Sequence, residues 1–189
     1  MPVQDVYDIN GKKITVGSVL SGRFKKHEAI TVFPCRKTAR INSIAVFGKP
    51  GKTSIRTGES AGLMIDDLSQ IKRGDILASR GSALEPLTRF NARIFWMSEM
   101  PLKINTPLFI RCSTQRVKCH VAGISARIDS STLETIEVDS DVLHTNEMAG
   151  VTIDCASPII LEDFDKIEEL GRFILERDDT VLAAGIYTG

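Results

Sequence analysis

No apolar run in this sequence approaches the length of a membrane span, and the stretch MPVQDVYDINGKK lacks the apolar core of a signal peptide. The expectation is a cytoplasmic chain with no membrane partner. Cysteine is scarce: Cys35, Cys112, Cys119 and Cys155 form no Cys-x-x-Cys pair, which excludes a zinc ribbon. Cys112 and Cys119 are placed to lie across a hairpin, and all four are read as reduced structural thiols. Histidine is scarcer still. His27, His120 and His144 are scattered, and none neighbours a serine or cysteine in a nucleophile motif. Cys119 and His120 would point to opposite faces of a strand, so they cannot ligate one metal together. No metal is expected.

A phosphate-binding loop is also missing, although residues 46–54, VFGKPGKTS, come close to one. That motif needs four residues between its first glycine and its final Gly-Lys-Thr. Counting back from Gly51 reaches Val46 rather than glycine. Pro50 offers no N–H to a phosphate, and SIRTGES, which follows, has no helical period whose N-terminus could face one. The stretch reads as a solvated turn built on Gly48, Pro50 and Gly51.

What is present is an ordinary globular composition, 42% apolar and 25% charged, with no net charge. The zero conceals an asymmetry. Residues 1–86 hold 14 Lys and Arg against 8 Asp and Glu, a balance of +6; residues 87–189 hold 10 against 16, a balance of −6. Between Arg23 and Arg56 stand nine basic residues and one acid, Glu28. Such a block is either a solvated barrel face or an attraction for a phosphate-rich or acidic partner. Lys25, Lys26 and Lys37 are the candidate partner-binding residues.

The chain reads as all-β. VQDVYDI breaks at Asn10-Gly11, a strong hairpin signal, and ITVGSVL, AITVFP, ARINSIAVF, SAGLMID and GDILAS follow at strand length. Closure of these segments into a small barrel would leave no bare edges. Around Pro86 a second set begins, from RFNARIFWM through RVKCHVAGISARI and MAGVTIDCAS to TVLAAGIY, with a tight turn at Ser113-Thr114-Gln115. Two tandem small β-barrels are expected, residues 1–85 and 86–189. One short helix, LEDFDKIEELG, is expected to end at Gly171 as its C-cap.

Candidate chemistry is thin. Glu162, Asp163, Asp165, Glu168 and Glu169 crowd one segment that reads as a solvated face rather than an acid–base pair. Asp66-Asp67 supplies too few ligands for a hard cation, and Ile128-Asp129-Ser130-Ser131-Thr132 reads as an Asx-type turn. The chain by itself is expected to be non-catalytic, with no catalytic, cofactor or metal residues.

GSVLSGRFKKHEAITVFPCRKTARINSI, TGESAGLMIDD and IKRGDILAS together resemble the second barrel of the translation-factor GTPases. RFNARIFWMSEMPL, ARIDSSTLE, LHTNEMAGVTI, SPIILEDFD and GRFILERDDTVLAAGIY resemble the third domain of one branch, the GTP-binding large subunit of bacterial sulfate adenylyltransferase, a relative of elongation factor Tu. The resemblance covers nearly the whole chain. Its more specific parts are Trp96-Met97-Ser98-Glu99, Asp129 to Glu134 and Asn146-Glu147 taken together. Two departures stand out. His27-Glu28 replaces the usual Gly-Asp, which forces a different turn geometry or strain; Cys35-Arg36 replaces the frequent Ser-Gly.

The resemblance implies a fold of translation-factor domain II followed by elongation factor Tu domain III. It also implies a parent GTPase domain that would hold GTP and magnesium, since neither a phosphate loop nor an Asn-Lys-x-Asp guanine-reading motif occurs here. The expectation is a piece of that larger protein rather than a stand-alone relative. Its implied partners are the GTPase domain and the small subunit of sulfate adenylyltransferase, where the sulfate chemistry would take place. The alternative is a translation-factor segment whose basic barrel receives the acceptor end of a charged tRNA, an alternative favoured by the +6 half.

Overall fold

The computed structural model describes residues 1–66, 70–132 and 134–189. The chain divides into two compact units, Met1–Glu85 and Pro86–Gly189. The all-β reading holds: among the described residues the structure contains one four-residue helix.

The first unit comprises β1 (Val3–Ile9), β2 (Lys12–Ser18), β3 (Arg23–Lys25), β4 (Ala29–Phe33), β5 (Lys37–Ala45), β6 (Ser54–Arg56), β7 (Ser60–Ile65) and β8 (Ile76–Ser79). Six of them form one sheet in the order β1-β2-β7-β5-β4-β8. It closes on itself where Pro2 bridges Ile76 and the Val3 N–H donates to the Asp75 carbonyl at 2.8 Å. The Asn10-Gly11 signal acts as its chemistry requires. Ile9 pairs with Lys12, and both intervening residues have positive φ, 54° and 74°. That is the two-residue turn whose twist matches the strands. Alternation along the strands points Ile30, Val32, Ile41 and Leu63 inward, all at 1% exposure or less. Each such burial contributes about 1.5–3 kcal/mol.

The second unit comprises β9 (Pro86–Trp96), β10 (Leu102–Lys103), β11 (Leu108–Cys112), β12 (Gln115–Asp129), β13 (Thr135–Ser140), β14 (Val142–Leu143), β15 (Glu147–Ile160), α1 (Glu168–Gly171), β16 (Arg172–Arg177) and β17 (Thr180–Ile186). The main sheet runs β11-β16-β17-β9-β15-β12-β13, and a further β11–β12 pairing closes it into a barrel with β13 attached at the side. Phe90, Ala92, Ile94 and Trp96 alternate inward from β9. The buried Gln115 amide donates to the Ile160 carbonyl and accepts from the Ile160 N–H, both at 2.8 Å, so it mimics a strand partner.

Several expectations are refined or corrected. Cys112 and Cys119 do lie across the β11–β12 hairpin, but in different pairs: Cys112 stands opposite Gln115 and Cys119 opposite Leu108. The turn there takes only Ser113-Thr114, because Gln115 already belongs to β12. LEDFDKIEELG is mostly irregular, since Asp163 accepts the Asp165 N–H at 2.9 Å and holds a turn. Only Glu168–Gly171 is helical, and the cap is Arg172. Gly171 is required for space instead: a Cβ there would lie 2.3 Å from the Phe164 Cα. The short ribbons β3–β6 and β10–β14 carry no signal readable from the sequence.

Candidate functional site

The basic block folds around the β3–β6 ribbon. Its strands are too short for periodicity to reveal, yet Phe24 and Ile55 sit opposite each other and are buried, which anchors the ribbon to the barrel. Their neighbours therefore point outward. Arg23 lies directly opposite Arg56, and Lys25 opposite Ser54, all exposed. Like charges facing each other across strands are destabilising unless something anionic lies between or above them. Arg23, Lys25, Lys26, Arg40, Lys49 and Arg56 make no ion pair among the described residues. The nine basic residues are not all alike: Arg36 pairs with Glu85 and Lys52 with Glu59.

Of the three candidate lysines, Lys25 and Lys26 lie at the ribbon end of the β4–β5 hairpin. Lys37 lies at the other end, opposite Val32, and its ammonium donates to Gln70 Oε1 at 3.0 Å. Ala29 to Val32 spans three strand steps, roughly 10 Å. Arg40, opposite Ala29, is nearer the ribbon than Lys37. The residues missed by sequence reasoning are thus Arg23, Arg56 and Arg40, brought close to Lys25 and Lys26 by pairing.

The phosphate-loop near-miss behaves as a turn. Gly48 and Gly51 have φ of 68° and 77°, and the chain continues into β6 rather than a helix. Lys52 is held by Glu59, whose second oxygen accepts the Arg56 N–H at 3.0 Å. The Lys52 hydrogen bond, then that N–H, holds the Glu59 carboxyl below its ordinary range.

The two unusual turns answer the strain question. His27 and Arg36 both adopt positive φ, 67° and 57°. The His27 N–H donates to the Ile41 carbonyl at 2.6 Å, and the Glu28 carboxylate accepts the Lys25 N–H at 2.8 Å. The turn keeps the geometry suited to glycine and bears the strain in a histidine.

In the second barrel the three specific stretches converge. The Asn146 N–H donates to the Trp96 carbonyl at 2.8 Å, and the Thr145 hydroxyl to the Ser98 carbonyl at 2.7 Å. The Ser130 hydroxyl donates to the Asn146 carbonyl at 2.6 Å. Asp129 accepts the Ser131 and Thr132 N–H groups at 2.7 and 3.0 Å, an Asx turn as expected; Leu133 lies outside the described residues. Beside them Arg127 donates to both oxygens of Glu147, at 2.9 and 2.7 Å, and to Glu137 at 2.6 Å. The Arg127 hydrogen bond holds the Glu147 carboxyl below its ordinary range.

The remaining candidates do not assemble into chemistry. Cys119 points inward and His120 outward, where it lies 3.9 Å from the Asp154 carboxylate. Asp66 accepts a hydrogen bond from Asn42, and Asp67 lies outside the described residues. Glu162 pairs with Lys166 at 3.3 Å and Glu168 with Arg172 at 2.6 Å. Among the described residues no three His, Cys, Asp or Glu side chains gather at metal-ligand spacing, and no helix is long and apolar enough to cross a membrane.

Residues 89–188 match the family described as GTP-eEF1A C-terminal domain-like. Elongation factor 1-alpha of Methanobrevibacter smithii is 29% identical over 192 residues, covering 98% of this chain and 46% of the relative. Sulfate adenylyltransferase subunit 1 of Francisella tularensis is 30% identical over 170 residues, covering 89% of this chain and 35% of the relative. A solved structure of sup35 complexed with GDP superposes with a TM-score of 0.92 at 21% identity, over 100% of this chain and 46% of that one. The chain thus spans less than half the length of these relatives.

Proposed function

The chain belongs to the GTP-eEF1A C-terminal domain-like family, within the wider group of elongation factor Tu and elongation factor 1-alpha GTPases, and from that premise we propose that its two barrels are non-catalytic docking domains. They would dock the GTPase domain of a common parent, which would hold GTP and magnesium, together with a partner macromolecule. The finer proposal is the sulfate-activating branch, with the small subunit of sulfate adenylyltransferase as partner and the cytoplasm as the location. One observation carries it: Trp96-Met97-Ser98, the Asp129 turn and Asn146-Glu147, which bear the resemblance to that branch, meet in one hydrogen-bonded cluster. Separate stretches that depend on one another are harder to match piecemeal than isolated strands.

A second reading has its own observation. The unpaired Arg23, Lys25 and Arg56 on the β3–β6 ribbon favour a phosphate backbone, as in an elongation factor receiving the acceptor end of a charged tRNA. Purified chain is titrated with aminoacyl-tRNA and, separately, with the small subunit of a bacterial sulfate adenylyltransferase. Saturable binding of the subunit with flat, negligible tRNA binding supports the sulfate reading. Binding of tRNA whose log affinity falls with log salt at about 0.7 per phosphate contacted, and is lost on changing Arg23, Lys25 and Arg56 to Glu, overturns it in favour of the translation reading.

A further inference from the structure

The outer wall of the second barrel is apolar where solvated strands ordinarily carry polar residues. One cross-strand row runs Ile128–Met148–Phe95–Ala184–Ile174 over five strands, all facing outward, and ends at Arg111 on β11. The adjacent row runs Val138–Ala126–Gly150–Arg93–Ile186 and ends at Arg172. The alanines and Gly150 leave the middle low, and a groove of about 1130 Å³ lies over both rows with Phe164 at its side. The row continues onto β13, which pairs with β12 alone in the sheet and leaves Ile136 and Val138 at 48% and 67% exposure. A contiguous apolar face of this kind marks an interaction site.

Charge indicates what covers it. Residues 87–189 carry 10 basic against 16 acidic side chains, a balance of −6, yet three arginines meet on this face. Arg111 is engaged by Glu176 at 3.2 Å and Arg172 by Glu168 at 2.6 Å, whereas Arg93 makes no ion pair among the described residues. Arg93 and Arg172 flank Ile186 two strands apart, roughly 10 Å. We propose that this groove docks an acidic segment of a protein partner, with apolar side chains on the row through Phe95 and Met148 and a carboxylate on Arg93. A second copy of the chain fits poorly, because a two-fold contact would set the same arginines against each other. A nucleic acid fits poorly, because the groove is lined mainly by apolar side chains and offers, among the described residues, no run of unpaired cations for a phosphate backbone to follow. The inference concerns a different barrel and an apolar face with a single arginine unpaired among the described residues, rather than a cationic ribbon, so its test is separate from that of the proposed function.

The test selects dodecapeptides from a random phage-displayed library on the immobilised full chain. The expected peptides combine Leu, Ile, Phe or Trp with Asp or Glu. Synthesised, they should bind at least about tenfold more weakly to Arg93→Glu and to Ala184→Lys, while the circular dichroism spectrum and thermal midpoint of both variants hold. The proposal is overturned if no peptide is enriched, if the enriched peptides lack acids, or if both variants bind them unchanged. It is equally overturned if single-stranded RNA displaces them, or if light scattering finds a dimer that Ala184→Lys dissociates.

Discussion

Cys119 on β12 stands directly opposite Cys155 on β15, in adjacent antiparallel strands, with both thiols free. Burial pushes Cys119 up to about 12, with the Cys155 neighbour adding to the effect, and pushes Cys155 up to about 11. Cys112, buried elsewhere, is likewise raised to about 12 by burial. A thiol reacts as its thiolate, so the native protein at pH 7.5 should release about one equivalent of dye from Ellman's reagent, from the exposed Cys35. Denaturant should expose four. Two or more fast equivalents from the native protein would contradict this burial.

The strained turns predict a gain. A left-handed non-glycine residue costs about 1–2 kcal/mol, and glycine loses about 0.5–1 kcal/mol more chain entropy on folding. His27→Gly should therefore stabilise by roughly 0.5 kcal/mol, read as a thermal midpoint about 2–4 °C higher. Arg36→Gly should gain less, since it also forfeits the exposed pair with Glu85. A lowered midpoint for His27→Gly would show that the imidazole contributes a contact of its own.

Gly171 predicts a loss. A methyl group there meets the Phe164 backbone at 2.3–2.6 Å, and backbone cannot rotate away. Gly171→Ala should cost about 1–3 kcal/mol by denaturant midpoint. An unchanged midpoint would place the glycine's importance elsewhere.

The Arg127 cluster makes the second barrel acid-sensitive. Glu147 is depressed chiefly by the Arg127 hydrogen bond. For Glu176 the hydrogen bonds of Arg116 and Arg111 outweigh its burial and leave it depressed. Folded carboxylates held below their unfolded value bind fewer protons than the unfolded chain. Their stabilisation is complete above the unfolded range, near pH 4.3, and is lost as pH falls through the lower folded values. Arg127→Met should cost roughly 2 kcal/mol at pH 7, between an exposed and a buried pair. It should also flatten the fall in stability below pH 5. An equal loss at pH 7 and pH 3 would sink the electrostatic account.

Nucleotide chemistry is predicted to be missing from the isolated chain. Lys52 serves Glu59, and the residues after it form a strand. Purified protein should hydrolyse neither GTP nor ATP, and should form no adenylyl sulfate from ATP and sulfate. A saturable nucleotidase activity abolished by Lys52→Ala would refute this.

Strand identity was legible from the sequence because its causes are local. Period-two alternation, β-branched residues and the Asn10-Gly11 turn each act within a few residues, and β1 occupies the stretch VQDVYDI they indicate. So did the solvated turn at Gly48 and Gly51, from the missing spacing alone. Contacts between distant residues had no such signal. The opposition of Arg23 to Arg56 arises because Phe24 and Ile55 seek one core, and a three-residue strand is too short to show a period. Cys119 faces Cys155 rather than Cys112 because strand order, not spacing, selects the neighbour. Gly171 is a glycine because another loop packs on it, which no local rule encodes. The apolar groove was hidden for the same reason: Phe95, Met148 and Ala184 each look like ordinary strand residues until the pairing of β17, β9 and β15 sets them side by side on the outer wall.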